Sequence, residues 1–277
     1  MSKIWLITGA SRGLGLEIAR AALTAGAEVV ATGRNADAVT KTLGEHKNLL
    51  AVELDVTVPG QAERAVKAAT ERFGRIDILV NNAGYGQLGM FEENSPEAVQ
   101  QQFRVNVFGT FDVTRAVLPS MRAQRSGHIF TITSIGGLRG GAGGSLYCST
   151  KFALEGWSES LAHELAPFGI HVTAVEPGFF RTDFLESSSV QYGDASIEDY
   201  REASGKLREF YDGRSRQQAG DPVKLAEALL RLADEENPPM HFLVGTDAVG
   251  VMEGRIQRDG EELAQWRELS SSTDYQA

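Results

Sequence analysis

Thr8-Gly9-Ala10-Ser11-Arg12-Gly13-Leu14-Gly15 follows the apolar run Ile4-Trp5-Leu6-Ile7 and leads into a stretch with helical spacing. Three glycines in this order, between a strand and a helix, have separate uses. Gly9 permits a sharp exit from the strand, and Gly13 lets backbone approach a pyrophosphate. Gly15 lets helix and sheet pack closely, while N–H groups at the helix start face the phosphates. With Ser11, Arg12 and Leu14 among them, these residues form a candidate dinucleotide cradle. A glycine triplet alone is a weak signal, and a purely structural turn is the alternative. The strand before and the helix after give it weight.

Outward from this turn, short apolar runs alternate with helical patterns. Lys3–Thr8, Glu28–Thr32, Leu49–Leu54, Ile76–Val80, His128–Thr133, Ile170–Val175 and His241–Val244 are rich in Val, Ile, Leu and Phe. Their shortness and continuous apolarity are the mark of strands covered on both faces. Leu14, Ile18, Ala22 and Ala25 share one face of the first helical pattern, which Gly26 ends. The third helix is expected to open at Pro59. Gln100–Gln124 and Tyr147–Pro167 are the two longest helical patterns, with Pro119 expected to kink or end the former. Strand–helix alternation of this kind predicts an α/β fold: a single doubly wound Rossmann domain with a seven-stranded parallel sheet and helices on both faces. No linker or repeat divides residues 1–277. One polar segment, 179–220, breaks the rhythm after the sixth strand and carries Tyr192, Tyr200, Phe210 and Tyr211. It is expected to form a helical lid over a substrate, with a solvated insertion as the alternative. A C-terminal extension follows from about residue 250.

Composition narrows the function. Hydrophobic residues make up 42% and charged residues 23% of the 277, which is ordinary globular usage. Glycine is enriched at 30 residues, without the three-residue period of collagen. The formal net charge of −10 speaks against binding nucleic acid. The single cysteine, Cys148, cannot form an internal disulfide and fits a reducing compartment. No apolar run approaches the ~18 residues of a membrane span, and the N-terminal apolar run is too short for a signal sequence. A soluble cytoplasmic protein, with no nucleic acid or membrane partner, is the expectation.

About 20 residues beyond the glycines lies the position that reads the adenosine ribose. There the sequence runs Ala31-Thr32-Gly33-Arg34-Asn35, with an arginine where a carboxylate would select a free 2′-hydroxyl. Arg34 and Arg12 offer guanidinium groups for a 2′-phosphate, so NADP(H) is the expected cofactor. Asp55, ahead of Val56, is placed to accept from the adenine amino group. Asn82-Ala83-Gly84, after the fourth strand, lets backbone lie along the cofactor.

Tyr147 and Lys151 are four residues apart on a predicted helix, so they share one face. Bringing a phenol from pKa ≈ 10 to about 7 takes ~4 kcal/mol, and an ammonium ~4 Å away supplies about that at an effective dielectric of ~20. Such a pair is common by chance. Its position after a strand ending in Thr133-Ser134, whose hydroxyl is suited to hold a carbonyl oxygen, makes it a catalytic candidate.

The chain at this point resembles the short-chain dehydrogenase/reductase family, in its common branch of about 250 residues. The resemblance rests on Thr8-Gly9-x-x-x-Gly13-x-Gly15, Asp55, Asn81-Asn82-Ala83-Gly84, Asn106, Ser134, Tyr147-x-x-x-Lys151 and Pro177-Gly178. The stretch Tyr147–Gly156 is similar to hydroxysteroid and retinol dehydrogenases. The resemblance implies that Tyr147 is the general acid–base and that Lys151 lowers its pKa and holds the nicotinamide ribose. Ser134 binds the reacting oxygen, and Asn106 holds a water leading to solvent. Pro177, Gly178 and Thr182 border the nicotinamide. It implies hydride transfer between NADP(H) and a small-molecule carbonyl or secondary alcohol, a hydrophobic one, in a homodimer or homotetramer joined through the two long helices. A sugar epimerase or dehydratase, or a non-catalytic NADP(H)-sensing regulator, are the alternatives on this fold. The loop 136–145 holds six glycines, more than the family pattern has. No histidine shows metal-ligand spacing, and no metal is expected.

Overall fold

The computed structural model describes residues 2–275. Its strands are β1 (Ile4–Ile7), β2 (Glu28–Gly33), β3 (Leu49–Glu53), β4 (Ile78–Asn81), β5 (Gly86–Leu88), β6 (Gly127–Ile132), β7 (Ile170–Pro177), β8 (Val190–Tyr192) and β9 (His241–Val244). Seven of them form one parallel sheet in the order β3-β2-β1-β4-β6-β7-β9. The winding direction reverses between β1 and β4, so a crevice opens at the C-terminal ends of those two strands. The expected doubly wound α/β sheet is therefore present.

The helices are α1 (Gly13–Thr24), α2 (Ala36–Leu43), α3 (Gln61–Phe73), α4 (Pro96–Phe103), α5 (Gly109–Gln124), α6 (Ser145–Leu165), α7 (Arg201–Asp212), α8 (Pro222–Asp234) and α9 (Thr246–Ser271). Residues alternate between two layers along each strand. Trp5 and Ile7 of β1 join Ile18, Ala22, Leu225 and Leu229 on one face. Leu6 between them joins Ala65, Val113, Val117, Met121 and Leu161 on the other. This period of two, with apolar cover on both sides, is why the strands read as unbroken apolar runs.

Several boundaries differ from expectation for local reasons. Gly60 has φ 80, outside helical space, so α3 begins at Gln61 and Pro59 lies in the preceding turn. In α1 the buried face is Gly15, Ile18, Ala19 and Ala22; Leu14 turns to the crevice and Ala25 is an exposed cap. Pro119 is accommodated within α5 without ending it. The long helical run ahead of it is instead interrupted by a π turn, Arg104–Phe108, between α4 and α5. The segment after β7 holds α7, and its β8 pairs in parallel with β5 in a second, two-stranded sheet. The C-terminal helix begins at Thr246, earlier than the expected extension, and Ile256, Leu263, Trp266 and Leu269 along it are exposed.

The glycine turn packs against the end of β4 with no space to spare. A Cβ at Gly15 would collide with Asn82 Nδ2 and stand 2.6 Å from Gly9 O, which is backbone and cannot swing away. Gly15→Ala should therefore cost about 1–3 kcal/mol, read as a lowered urea midpoint at unchanged slope. An unchanged midpoint would show that the turn yields.

Candidate active site

Gly9 and Gly13 take left-handed backbone, φ 66 and 58, and turn the chain from β1 into α1. Arg12 at the helix N-cap gives no side-chain cap, so the first N–H groups of α1 are left for another acceptor. The turn is clamped to β4 by Asn82. Its Nδ2 donates to Thr8 O at 2.8 Å and to Gly9 O at 3.1 Å, while Thr8 Oγ1 accepts from Asn82 N and Ala83 N at 2.9 and 3.0 Å.

A cavity of about 940 Å³ runs from this turn along the C-terminal edge of the sheet. Gly9, Ser11, Arg12, Gly13, Leu14, Arg34, Asp55 and Val56 line one end, then Asn82, Ala83 and Gly84. Ser134, Tyr147, Lys151, Pro177, Gly178 and Thr182 line the remainder. Gly15 and Asn106 are the two candidate residues outside it. Arg34 is exposed and has no hydrogen bond or ion pair among the described residues. Arg12 Nη2 donates to Ser188 O at 2.7 Å, which ties the glycine turn to the segment after β7. Asp55 Oδ1 accepts from Thr57 N and Thr57 Oγ1 at 2.9 and 2.7 Å. A dinucleotide fits this cradle: bare backbone at the helix start, a cation beyond β2, and one continuous cavity leading to Tyr147.

Ser134, directly after β6, accepts from Gly136 N at 3.0 Å and bonds the Tyr147 phenol. A Cβ at Gly136 would stand 3.1 Å from Tyr147 Cε1, so the glycine lets the ring lie against the loop. Gly143 faces Leu207 of α7 in the same way, so the glycine-rich loop is a close-packed wall on both flanks. Burial raises the phenol well above its ordinary value, and the Ser134 bond works against that. Lys151 lies one helical turn on, its Nζ 5.6 Å from the Tyr147 ring centre and donating to Ile132 O at 2.8 Å. Burial lowers the ammonium to about 8. In the protein alone the phenol is thus raised, not lowered by the lysine as expected, and burial holds Tyr147 protonated.

Beyond Tyr147 the wall is apolar. Phe179, Phe184, Tyr192 and Tyr211 pack with Tyr147 around Leu88, Leu185 and Val190. Phe184 lies 5.8 Å from the Tyr147 ring, centre to centre. Asp247, at the start of α9, holds the strand end in place by accepting from Phe179 N at 2.7 Å. It went unread in the sequence; an acid two residues past a strand-ending glycine was the available signal. Glu155, Glu176 and His241, from three elements, gather behind the Ser134 loop with no signal in their spacing.

Asn106 sits at the centre of the π turn, buried, with its carboxamide used inside the protein. Its Oδ1 accepts from Tyr85 N at 3.1 Å, and its Nδ2 donates to Tyr85 O and Thr150 Oγ1 at 2.9 and 3.2 Å. Asn106→Ala should cost about 2–3 kcal/mol, measured by urea unfolding; a loss under 0.5 kcal/mol would refute this reading of its bonds.

Known proteins place this geometry. The family model for short chain dehydrogenase matches residues 3–193. Oxidoreductase BOA17 of Botryotinia fuckeliana is 42% identical over 272 residues, 98% of each chain. The crystal structure of a short-chain dehydrogenase from Streptomyces avermitilis is 39% identical, with a TM-score of 0.92 over 99% of this chain and 100% of that one. That of a 3-ketoacyl-(acyl-carrier-protein) reductase from Brucella melitensis, complexed with NADH, is 27% identical, with a TM-score of 0.74 over 87% of this chain and 95% of that one. With the family match over most of its length and a near full-length relative, the chain belongs to the short-chain dehydrogenase family of oxidoreductases, which use nicotinamide cofactors.

Proposed function

We propose that this oxidoreductase reduces a hydrophobic ketone, or oxidises the matching secondary alcohol, with NADP(H). The observation that carries the reading is the row of Ser134, Tyr147 and Lys151 along a cavity that is continuous with the glycine turn and apolar beyond the phenol. The cofactor, when bound, supplies or accepts the hydride. Ser134 holds the substrate oxygen and Tyr147 gives it a proton in reduction, a role suited to a phenol that burial keeps protonated. Lys151, as an ammonium, favours the phenolate left behind.

The 179–220 segment is the substrate lid, since Phe179, Phe184, Leu207, Phe210 and Tyr211 all line the cavity. The chain works as one cofactor-binding and catalytic unit, in a cytoplasmic homo-oligomer; exposed Phe108 and Phe152 near and on the long helices support the association.

Preference for NADP(H) rests on Arg34, exposed beyond β2 with no carboxylate in its place, rather than on Arg12, which already has Ser188 as partner. Tyr147→Phe should lower kcat for ketone reduction by about 10³-fold with the fold intact by circular dichroism; activity within threefold of wild type rejects the assignment. Arg34→Ala should lower kcat/KM for NADPH by about 30-fold and leave that for NADH nearly unchanged. Equal loss with both cofactors, or better wild-type turnover with NADH, removes the NADP(H) reading.

A further inference from the structure

Behind the loop that carries Ser134, and outside the cavity, two glutamates are buried side by side. Glu155 follows Lys151 by one turn of α6, so Tyr147, Lys151 and Glu155 form one row on that helix. Glu155 is 6% exposed and Glu176, at the end of β7, 0%. Both carboxylate oxygens of Glu155 and Oε2 of Glu176 have no hydrogen-bond donor among the described residues other than each other's carboxyl. Thr133, from the β6 side, works to lower the Glu155 carboxyl, but its hydroxyl proton goes to Val175 O at 2.8 Å.

His241 of β9 closes the cluster from outside. Its Nδ1 lies 2.7 Å from Glu176 Oε1 and 3.5 Å from Glu155 Oε2, and its Nε2 lies 3.3 Å from Glu159 Oε1. The charged and titratable groups facing Glu155 are thus Lys151 and Glu159 on its own helix, Glu176 from β7 and His241 from β9. The loop's one charged residue, Arg139, lines the cavity, and the loop packs on the carboxylate through a glycine: a Cβ at Gly137 would stand 2.8 Å from Glu155 Oε1.

Two carboxyls this close in a dry site do not both ionise, so one proton is held between them. The charge that remains must be balanced by cations, and among the described residues Lys151 and His241 are the ones beside it. Lys151 needs that charge equally, because its buried ammonium is otherwise met by a single carbonyl, Ile132 O.

We propose that Glu155 is a positioning residue for the reaction: sharing a proton with Glu176, it keeps the Lys151 ammonium charged beside Tyr147. The proposal rests on the Tyr147–Lys151 reading of the preceding subsection. Burial, with the Glu176 charge adding to it, pushes the Glu155 carboxyl up to about 7. Glu155 in turn opposes the burial that lowers Lys151. Burial works to lower His241 as well, but its bond to Glu176 and the surrounding carboxylates outweigh that and raise it.

The test is the alkaline limb of kcat for ketone reduction, followed in two isosteric variants. Glu155→Gln removes the charge facing Lys151, and the limb should move down by about one pH unit. Glu176→Gln frees Glu155 to ionise without a like-charged neighbour, and the limb should move up. A general disturbance of the site would not move the limb in opposite directions. Thermal unfolding gives a readout without turnover. A carboxyl raised in the folded state contributes stability that is full at low pH and lost as pH rises through about 7. The Tm of Glu155→Gln should therefore match wild type at about pH 4, below the ordinary glutamate range, and exceed it at pH 8.5. Limbs that stay put or move together, or a Tm difference that does not widen with pH, overturn the proposal. Should Glu155→Gln not fold, the upward limb of Glu176→Gln decides alone. Retained activity in Tyr147→Phe would instead overturn the catalytic reading, and leaves the melting test standing.

Discussion

The close approach of the first strand–helix turn to the end of β4 is the contact on which the remaining geometry depends. One carboxamide, Asn82, bonds two successive carbonyls of the turn, and one hydroxyl, Thr8, answers by accepting two backbone N–H groups. Four hydrogen bonds in so small a space fix the angle at which α1 leaves the sheet. That angle decides where the free N–H groups at the helix start point. Asn82 therefore shapes the glycine turn from behind, its amide nitrogen taken up by the two carbonyls. The small residues that follow, Ala83 and Gly84, are what remain at the cavity surface.

The electrostatic part of the site is built in depth along α6. Its first turn faces the cavity with Tyr147, its second buries Lys151 under the end of β6, and its third puts Glu155 beneath the Ser134 loop. Burial alone would discharge every one of these groups: it raises the phenol, lowers the ammonium and raises the carboxyl. Along this row Glu155 offsets part of that cost for Lys151. The row ends at His241, which is half-exposed and so brings the cluster within reach of solvent.

Much of this was legible because it is local. A strand covered on both faces must be apolar throughout, so the seven main strands stand out as short runs, with ends uncertain by a residue or two. The glycine turn and the Tyr147–Lys151 pair are each contained in one turn of chain and one spacing. Features assembled from distant pieces were not legible. Gly86-Gln87-Leu88 has no apolar pattern, and β5 exists because Val190–Tyr192 comes back to pair with it. Gln87 is buried only because Gln102 and Asn94 meet its polar groups. Glu155, Glu176 and His241 lie on three elements, and nothing in the spacing of 155, 176 and 241 joins them. Pro59 misled for the opposite reason: proline tolerates a helix start, but the left-handed Gly60 after it decides the matter.

The π turn between α4 and α5 fixes a side chain rather than a phase. Its wider hydrogen-bonded ring holds one residue more than an α-turn over the same rise. Loss of a single residue anywhere in Arg104–Phe108 would let the two helices fuse into regular α structure, and because the extra residue adds almost no net rotation or rise, α5 would keep its phase relative to α4. Val113, Val117 and Met121 would stay against the sheet and Gly109 against the Val56 side chain, and the loss would fall on the place that the wider turn gives Asn106. A one-codon deletion inside the sixteen regular residues of α5 is the frame error: everything after it turns by about 100° and leaves the face it packs with.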